Sequence, residues 1–374
     1  MKVGIPKERR AGETRVAATP ASVKKMKALG FDIVVEAGAG GASYFADQDY
    51  AAAGATVGNA ADALGADLVF KVTRPTDDEL AQMKRGASLV AILAPYADKA
   101  AVAKYAAAGI NTYAMEFMPR ISRAQSMDVL SSQSNLSGYK AVIDAAGLYG
   151  RIFPQLMTSA GTIVPARVFV MGVGVAGLQA IATAKRLGAI VSATDVRLAT
   201  KEQVQSLGGS FVMVEDEETK QAETAGGYAK EMSDAYKQKQ AALIAETIKK
   251  QDIVITTALI PGRPAPVLVT EAMVRSMKPG SVIVDLAAEQ GGNCPLTKAG
   301  ETVEVNGVKI VGAVNLAGRL AADASSLYAN NLVNFLTPFV DKTTKVLKLD
   351  PNDDIIKGTC LTRDGEVVHA AVKA

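Results

Sequence analysis

The chain has 374 residues, 49% of them apolar and 21% charged, with a formal net charge of +3. That is a soluble globular composition sufficient for about two domains, and with no Lys/Arg cluster interleaved with aromatics it excludes a nucleic-acid binder. Cys294 and Cys360 are the two cysteines and form no CxxC or paired metal-ligand spacing, which excludes a disulfide scaffold and a metal site and points to a reducing compartment.

In the first half, Lys2 to Ile5, Asp32 to Glu36, Asp67 to Val72, Ser88 to Leu93 and Asn111 to Glu116 read as strands. Ala21 to Gly30, Ala51 to Leu64 and Asp98 to Gly109 read as helices between them, several closed by glycine. Alternation on this scale predicts parallel βαβ units. The opening MKVGIPKERR carries charge where a signal peptide needs an apolar segment, so the chain reads as cytoplasmic. Lys7, Glu8, Arg10, Glu13 and Arg15 surround Gly12 and read as a charged surface turn.

Residues 120–128, RISRAQSMD, follow the fifth strand, where α/β sheets place ligand-binding loops, although a solvated connection has the same composition. Met127 to Tyr149 is helical in pattern and crosses between domains. The alternation then resumes with Arg167 to Gly172, Ala189 to Asp195, Phe211 to Val214, Ile253 to Leu259, Ser281 to Leu286 and Lys309 to Val314, six runs that match a complete dinucleotide fold. Val214 to Gln251 is highly charged and irregular around Gly226-Gly227-Tyr228. It reads either as a solvated loop with a surface helix or as a mobile lid anchored by Tyr228. After Asn315 an amphipathic stretch to Val340 returns the chain to the first domain.

The stretch 167–197 carries the chemistry. A β-branched run ends at Gly172, and Gly172, Gly174 and Gly177 fall at GxGxxG spacing before an Ala-rich helical pattern. Gly172 permits a sharp turn, Gly174 lets the backbone approach a pyrophosphate, and Gly177 lets the helix pack against the strand. The helix N-terminus offers free N–H groups to phosphates. Asp195 ends the next strand, where a carboxylate accepts from the adenosine ribose hydroxyls and favours NAD. Arg197 introduces ambiguity, because an arginine there accommodates the 2′-phosphate of NADP. Val168 to Ala184 is uncharged, but its glycines and its length fall short of a membrane span. The single histidine, His369, lies near the C-terminus and reads as a surface residue. Dehydrogenases of hydroxy or amino acids move a proton with the hydride, most often through histidine.

Along essentially its full length the chain resembles the NAD(H)-binding component of the proton-translocating nicotinamide nucleotide transhydrogenases. The likeness rests on GIPKE at the N-terminus, RVAATP at 15–20, EAGAG at 36–40, RISRAQSMDVLSSQSNLSGYKAV at 120–142, MGVGVAGLQAIATAKRLGA, GGYAKEM, TTALIPGRPAP and NLAGRLAADASSLYANNLVNF. Alanine dehydrogenases look similar over the same length. Their substrate lysine stands two residues before the proline of a KVKEP-like motif, where Lys71-Val72-Thr73-Arg74-Pro75 has Thr73, and their catalytic histidine follows a strand like Leu89 to Leu93, where this chain has Ala94. Arg15 alone remains of that substrate set.

The resemblance implies an α/β fold of two Rossmann-like domains with mainly parallel sheets, about 1–130 plus 316–374 and 131–315, with NAD(H) in the cleft between them. It places Arg120, Gln125, Asp128 and Ser131 near the nicotinamide, with Ile121 and Ser122 beside them, and gives Arg120, Gln125 and Asp128 the catalytic roles. Gly172, Gly174, Val175, Ala176, Gly177, Asp195, Val196, Arg197, Gly227 and Tyr228 complete the cofactor set, Tyr228 closing a mobile loop. Hydride exchange between two nicotinamides needs no general acid or base, so the protein's task is to bring two C4 atoms within about 3 to 3.5 Å. The implied partners are a second copy of the chain, an NADP(H)-binding component and a membrane-spanning proton channel. The chain would sit peripherally on the cytoplasmic face of the inner membrane, without inserting into it. An alanine dehydrogenase-like oxidoreductase and an NAD-sensing module are the rival readings.

Overall fold

The computed structural model describes residues 1–215, 233–260 and 262–373, and within them the chain divides into two units. Unit 1 comprises Met1–Gln133 and Ala317–Ala374, and unit 2 comprises Ser134–Leu316. Unit 1 begins with β1 (Lys2–Ile5), α1 (Pro20–Ala28), β2 (Asp32–Glu36), α2 (Asp47–Ala52), β3 (Thr56–Gly58) and α3 (Ala60–Leu64). The chain continues through β4 (Leu68–Thr73), α4 (Asp77–Ala81), β5 (Ser88–Ile92), α5 (Lys99–Ala107) and β6 (Asn111–Ala114). One element corrects the reading of the sequence. Residues 51–64 are not one helix but the end of α2, the strand β3 and α3. Gly54 breaks the Ala-rich run in the left-handed region (φ 93), and Asn59 starts a new helix by accepting from the Asp62 N–H at 2.9 Å.

Helix α6 (Val129–Leu148) carries the chain from unit 1 into unit 2. A hairpin of β7 (Leu156–Thr158) and β8 (Gly161–Ile163) precedes β9 (Arg167–Met171), α7 (Val175–Arg186), β10 (Ile190–Thr194), α8 (Lys201–Ser206) and β11 (Ser210–Phe211). Unit 2 closes with α9 (Asp234–Ile248), β12 (Ile253–Thr256), α10 (Glu271–Ser276), β13 (Val282–Asp285), β14 (Thr302–Val305) and β15 (Val308–Gly312). The return to unit 1 supplies α11 (Ala321–Leu336), α12 (Asp354–Thr359), β16 (Cys360–Arg363) and β17 (Glu366–Val367).

Among the described residues the sheet of unit 1 runs β17-β16-β6-β5-β4-β1-β2-β3, and the main sheet of unit 2 runs β11-β10-β9-β12-β13-β15-β14. Within each, the six parallel strands follow the order 3-2-1-4-5-6 of a doubly wound fold. The exceptions are antiparallel edges: β16 on β6, β17 on β16, and β14 on β15. Buried parallel strands read as apolar runs, and Val168, Phe169, Val170, Ile253, Val254 and Ile255 are fully buried in unit 2, as are Val3, Ile5, Leu68 and Phe70 in unit 1. A doubly wound sheet leaves a crevice beyond its strand ends where the order reverses. That point lies between β9 and β12 in unit 2 and between β1 and β4 in unit 1.

Candidate functional site

In unit 2 the chain leaves β9 through the glycine turn. Gly172 takes φ 101, which a side chain rarely adopts, and a Cβ there would stand 2.5 Å from Thr257 Oγ1. A Cβ on Gly177 would lie 2.0 Å from the Gly172 carbonyl oxygen, so only glycine lets α7 start this close to the strand. Gly174 has the opposite environment: it is exposed, and its Cβ direction meets nothing within 4 Å. It is also the N-cap residue of α7 and supplies no side-chain cap, so the first-turn N–H groups lack an intrahelical acceptor, those of the exposed Val175 and half-buried Ala176 among them. Open space over free N–H groups at the switch point fits a pyrophosphate.

Asp195 stands one strand away, at the end of β10, with its side chain 6% exposed. Its Oδ2 accepts from the Val173 N–H at 2.6 Å, tying the second strand to the glycine turn, and its Oδ1 accepts from the Arg197 N–H at 2.8 Å. The Arg197 guanidinium, 52% exposed, reaches both oxygens at 3.0 Å. Burial works against the charge, but the Arg197 side chain and the Val173 and Arg197 N–H groups outweigh it and hold the carboxyl below its usual range. Val196 between them is 83% exposed. Of the remaining residues read as cofactor-binding in the sequence, Gly227 and Tyr228 lie outside the described residues.

In unit 1, residues 120–131 form a 3-10 turn, Ser122–Met127, running into α6. Arg120, Ser122 and Gln125 are exposed, and Ile121, Asp128 and Ser131 are half-buried. Among the described residues the side chains of Arg120 and Gln125 have no hydrogen-bond partner. Asp128 does have one: its carboxylate accepts from the Ser131 N–H at 2.9 Å and the Ser131 hydroxyl at 2.5 Å, capping α6. The turn is pinned from α11, where Asn331 and Asn334 donate to the Ser126 carbonyl at 2.8 and 3.0 Å.

The charged turn near the N-terminus is at the surface only in part: Lys7 and Gly12 are exposed, but Glu8 and Arg15 are buried. Lys71 is fully buried, 3.3 Å from Glu8 and 2.8 Å from Glu79, and Glu8 accepts from the Val72 N–H and the Thr73 hydroxyl, each at 2.6 Å. Arg15 is buried against Glu13 at 2.7 Å and donates to Gln133 at 2.8 Å. Lys71 on β4 and Glu8 after β1 thus form a buried charge cluster beside the switch point of unit 1, where burial still outweighs Lys71 and holds the Glu8 carboxyl above its usual range. Thr73 is engaged with Glu8. At the other position that distinguishes the dehydrogenases, Ala94 takes φ 49 and donates its N–H to Glu116 at 2.5 Å. Burial is the largest influence on Glu116 and pushes its carboxyl up to about 7. Among the described residues no His/Cys/Asp/Glu group has a metal-binding arrangement, and no helix is long and apolar enough to cross a membrane.

The sequence reading gave no role to Thr257, whose hydroxyl donates to the Gly172 carbonyl at 2.9 Å and whose N–H bonds Met171 at 2.9 Å. The TTALIPGRPAP segment was visible as a motif, but its contact with the glycine turn depends on β9 and β12 being neighbours.

Two family models match the chain: the alanine dehydrogenase/PNT N-terminal domain over residues 4–137 and the alanine dehydrogenase/PNT C-terminal domain over 141–370. The chain is 59% identical over 379 residues to the first part of the NAD(P) transhydrogenase alpha subunit of Rhodospirillum rubrum, covering 100% of this chain and 99% of that one. A solved transhydrogenase from Sinorhizobium meliloti superposes with a TM-score of 0.91 at 57% identity, covering 98% of this chain and 100% of that one. More distant is the alanine dehydrogenase of Mycolicibacterium smegmatis, 30% identical over 381 residues, 100% of this chain and 96% of that one.

Proposed function

Because the chain belongs to the alanine dehydrogenase/PNT family, we propose that it is the NAD(H)-binding component of a proton-translocating NAD(P) transhydrogenase. One observation carries the choice between the family's two named activities. The positions where the resemblance puts the dehydrogenases' proton-handling lysine and histidine hold Thr73, spent on Glu8, and Ala94, which has no titratable side chain. The 59% identity to a transhydrogenase subunit, against 30% to an alanine dehydrogenase, supports the same choice.

In this reading unit 2 holds the adenosine and pyrophosphate. Gly172 and Gly177 keep the turn tight, Gly174 leaves the backbone bare, the N–H groups of Val175 and Ala176 receive phosphate oxygens, and Asp195, Val196 and Arg197 border the ribose. Arg120, Ile121, Ser122, Gln125, Asp128 and Ser131 of unit 1 serve the nicotinamide end, where Arg120 and Gln125 have uncommitted donors. NAD(H) itself supplies or accepts the hydride. The chain's residues orient the ring and need hold no proton. NADP(H) sits on a partner component, proton passage belongs to a membrane-spanning component, and this chain works as a homodimer on the cytoplasmic face of the inner membrane.

The test separates binding from transfer at Gln125. In the complex with the NADP(H)-binding partner, Gln125→Asn slows single-turnover hydride transfer on the order of 100-fold, while NADH affinity of the isolated chain changes much less. Normal transfer by the variant removes Gln125 from the hydride step. Reduction of NAD by alanine with the chain alone would replace this reading with the dehydrogenase.

A further inference from the structure

The segment after β12 meets the glycine turn on one side and a fully buried asparagine on the other. Asn293 is 0% exposed, and its side-chain oxygen accepts from the Ala258 N–H at 3.1 Å while its amide donates to the Ala258 carbonyl at 2.9 Å and the Pro266 carbonyl at 2.8 Å. One side chain therefore grips both ends of the excursion from 258 to 266. The Asn293 carbonyl accepts from the Leu268 and Val269 N–H groups at 2.8 and 3.0 Å, which continues the clamp beyond it.

Asn293 is in turn fixed by Asp285, the last residue of β13, also 0% exposed. Asp285 Oδ2 accepts from the N–H groups of Asn293 at 2.8 Å and Cys294 at 3.2 Å and from the Thr297 hydroxyl at 2.7 Å. Its Oδ1 accepts from the Thr256 hydroxyl at 3.1 Å and the Ala287 N–H at 3.0 Å. The carboxylate thus joins the ends of β12 and β13. From there the path runs through Asn293 to Ala258, whose nitrogen stands 3.3 Å from where a Gly172 Cβ would be. Thr257 completes the circuit on the Gly172 carbonyl.

We propose that Asn293 is a positioning residue for dinucleotide binding, setting the register of the 257–260 backbone against the Gly172 turn from a buried site that touches no nucleotide. This rests on the assignment of NAD(H) to unit 2. A side chain that satisfies both backbone polar groups of one residue and a carbonyl eight residues on specifies a single loop register. Truncation leaves those groups unpaired and admits other registers. If the binding register then holds a tenth of the population, the apparent Kd for NADH rises about tenfold.

The test titrates NADH into the full chain as wild type, Asn293→Ala and Thr257→Val, with thermal melts of each and hydrogen exchange across 257–269. Asn293→Ala should weaken NADH about tenfold at a temperature where the melt shows it folded, with faster exchange at Ala258, whose N–H loses its acceptor. Thr257→Val, which loosens the same backbone from the other side, should weaken NADH in the same direction. If Asn293→Ala lowers the melting temperature but binds NADH as wild type does, Asn293 is structural only and the proposal is overturned. Should Asn293→Ala not fold, wild-type exchange decides: slowing of 257–260 with NADH supports the proposal, and unchanged exchange overturns it. A wild-type chain that does not bind NADH overturns the nucleotide assignment itself.

Discussion

Replacing Asp195 by alanine tests both the nucleotide assignment and its selectivity, and the structure sets the size of the effect. A hydrogen bond to a charged group contributes about 1.5 to 3 kcal/mol. The ribose does not meet a free carboxylate, however, because the Arg197 guanidinium occupies both oxygens at 3.0 Å. That guanidinium is 52% exposed, so displacing it costs less than about 1 kcal/mol. The net contribution is about 1 to 2 kcal/mol, and Asp195→Ala should weaken NADH about 5- to 30-fold. The same change releases Arg197 and removes the negative charge facing a 2′-phosphate, so NADPH affinity should hold or improve and the preference should narrow. Asp195→Asn separates the ribose contact from the turn, since its amide oxygen can still accept from the Val173 N–H. Fluorescence titration with both nucleotides at fixed salt gives the ratios. Equal wild-type affinity for the two, or an Asp195→Ala ratio equal to wild type, refutes the reasoning.

Two glycines of one motif should fail in different ways. Gly177→Ala drives a Cβ into the Gly172 carbonyl and should cost on the order of 3 kcal/mol in unfolding experiments, whereas Gly174→Ala meets only open space and should melt like wild type while losing NADH affinity. Glu116 gives a pH signature: a carboxyl raised from 4.5 to about 7 makes the native state bind the extra proton. Its stabilisation is complete below about 4.5 and is lost as pH rises through about 7, on the order of 3 kcal/mol. Glu116→Gln should remove this slope from melting curves taken between pH 4.5 and 8, and an unchanged slope rules Glu116 out as its source. Lys71→Met should destabilise unit 1 by about 3 to 5 kcal/mol, because it leaves Glu8 and Glu79 facing each other in the interior; a melt within 1 kcal/mol of wild type contradicts that arrangement.

Strands buried on both faces were legible because their interiors are apolar runs, and β1 and β2 span the residues read as strands, Lys2–Ile5 and Asp32–Glu36. Antiparallel edges were missed although their signal was present. Asn306-Gly307, between β14 and β15, and Asp364-Gly365, between β16 and β17, all take positive φ, as hairpin turns of these dipeptides do. The glycine turn and Asp195 were legible because their chemistry is local in sequence. The burial of Glu8, Arg15 and Lys71 was not, since charged residues read as surface until the fold supplies partners from β4, α4 and α6. Nothing in the sequence around Asn293 indicates that it holds a segment about thirty residues earlier.

The strand β16 has a consequence for how the protein is made. It covers the β6 edge, yet the whole of unit 2 is translated between the two. Tyr328, Leu332, Phe335 and Leu336, which fill part of the unit 1 core, also arrive after unit 2. On the ribosome the contiguous residues of unit 2 can close their sheet first. Meanwhile the first 133 residues wait with an incomplete core and a bare strand edge, the kind of surface that recruits stray chains. Unit 1 therefore completes its core and covers its β6 edge only after α11 and β16, on the far side of unit 2, have been synthesised.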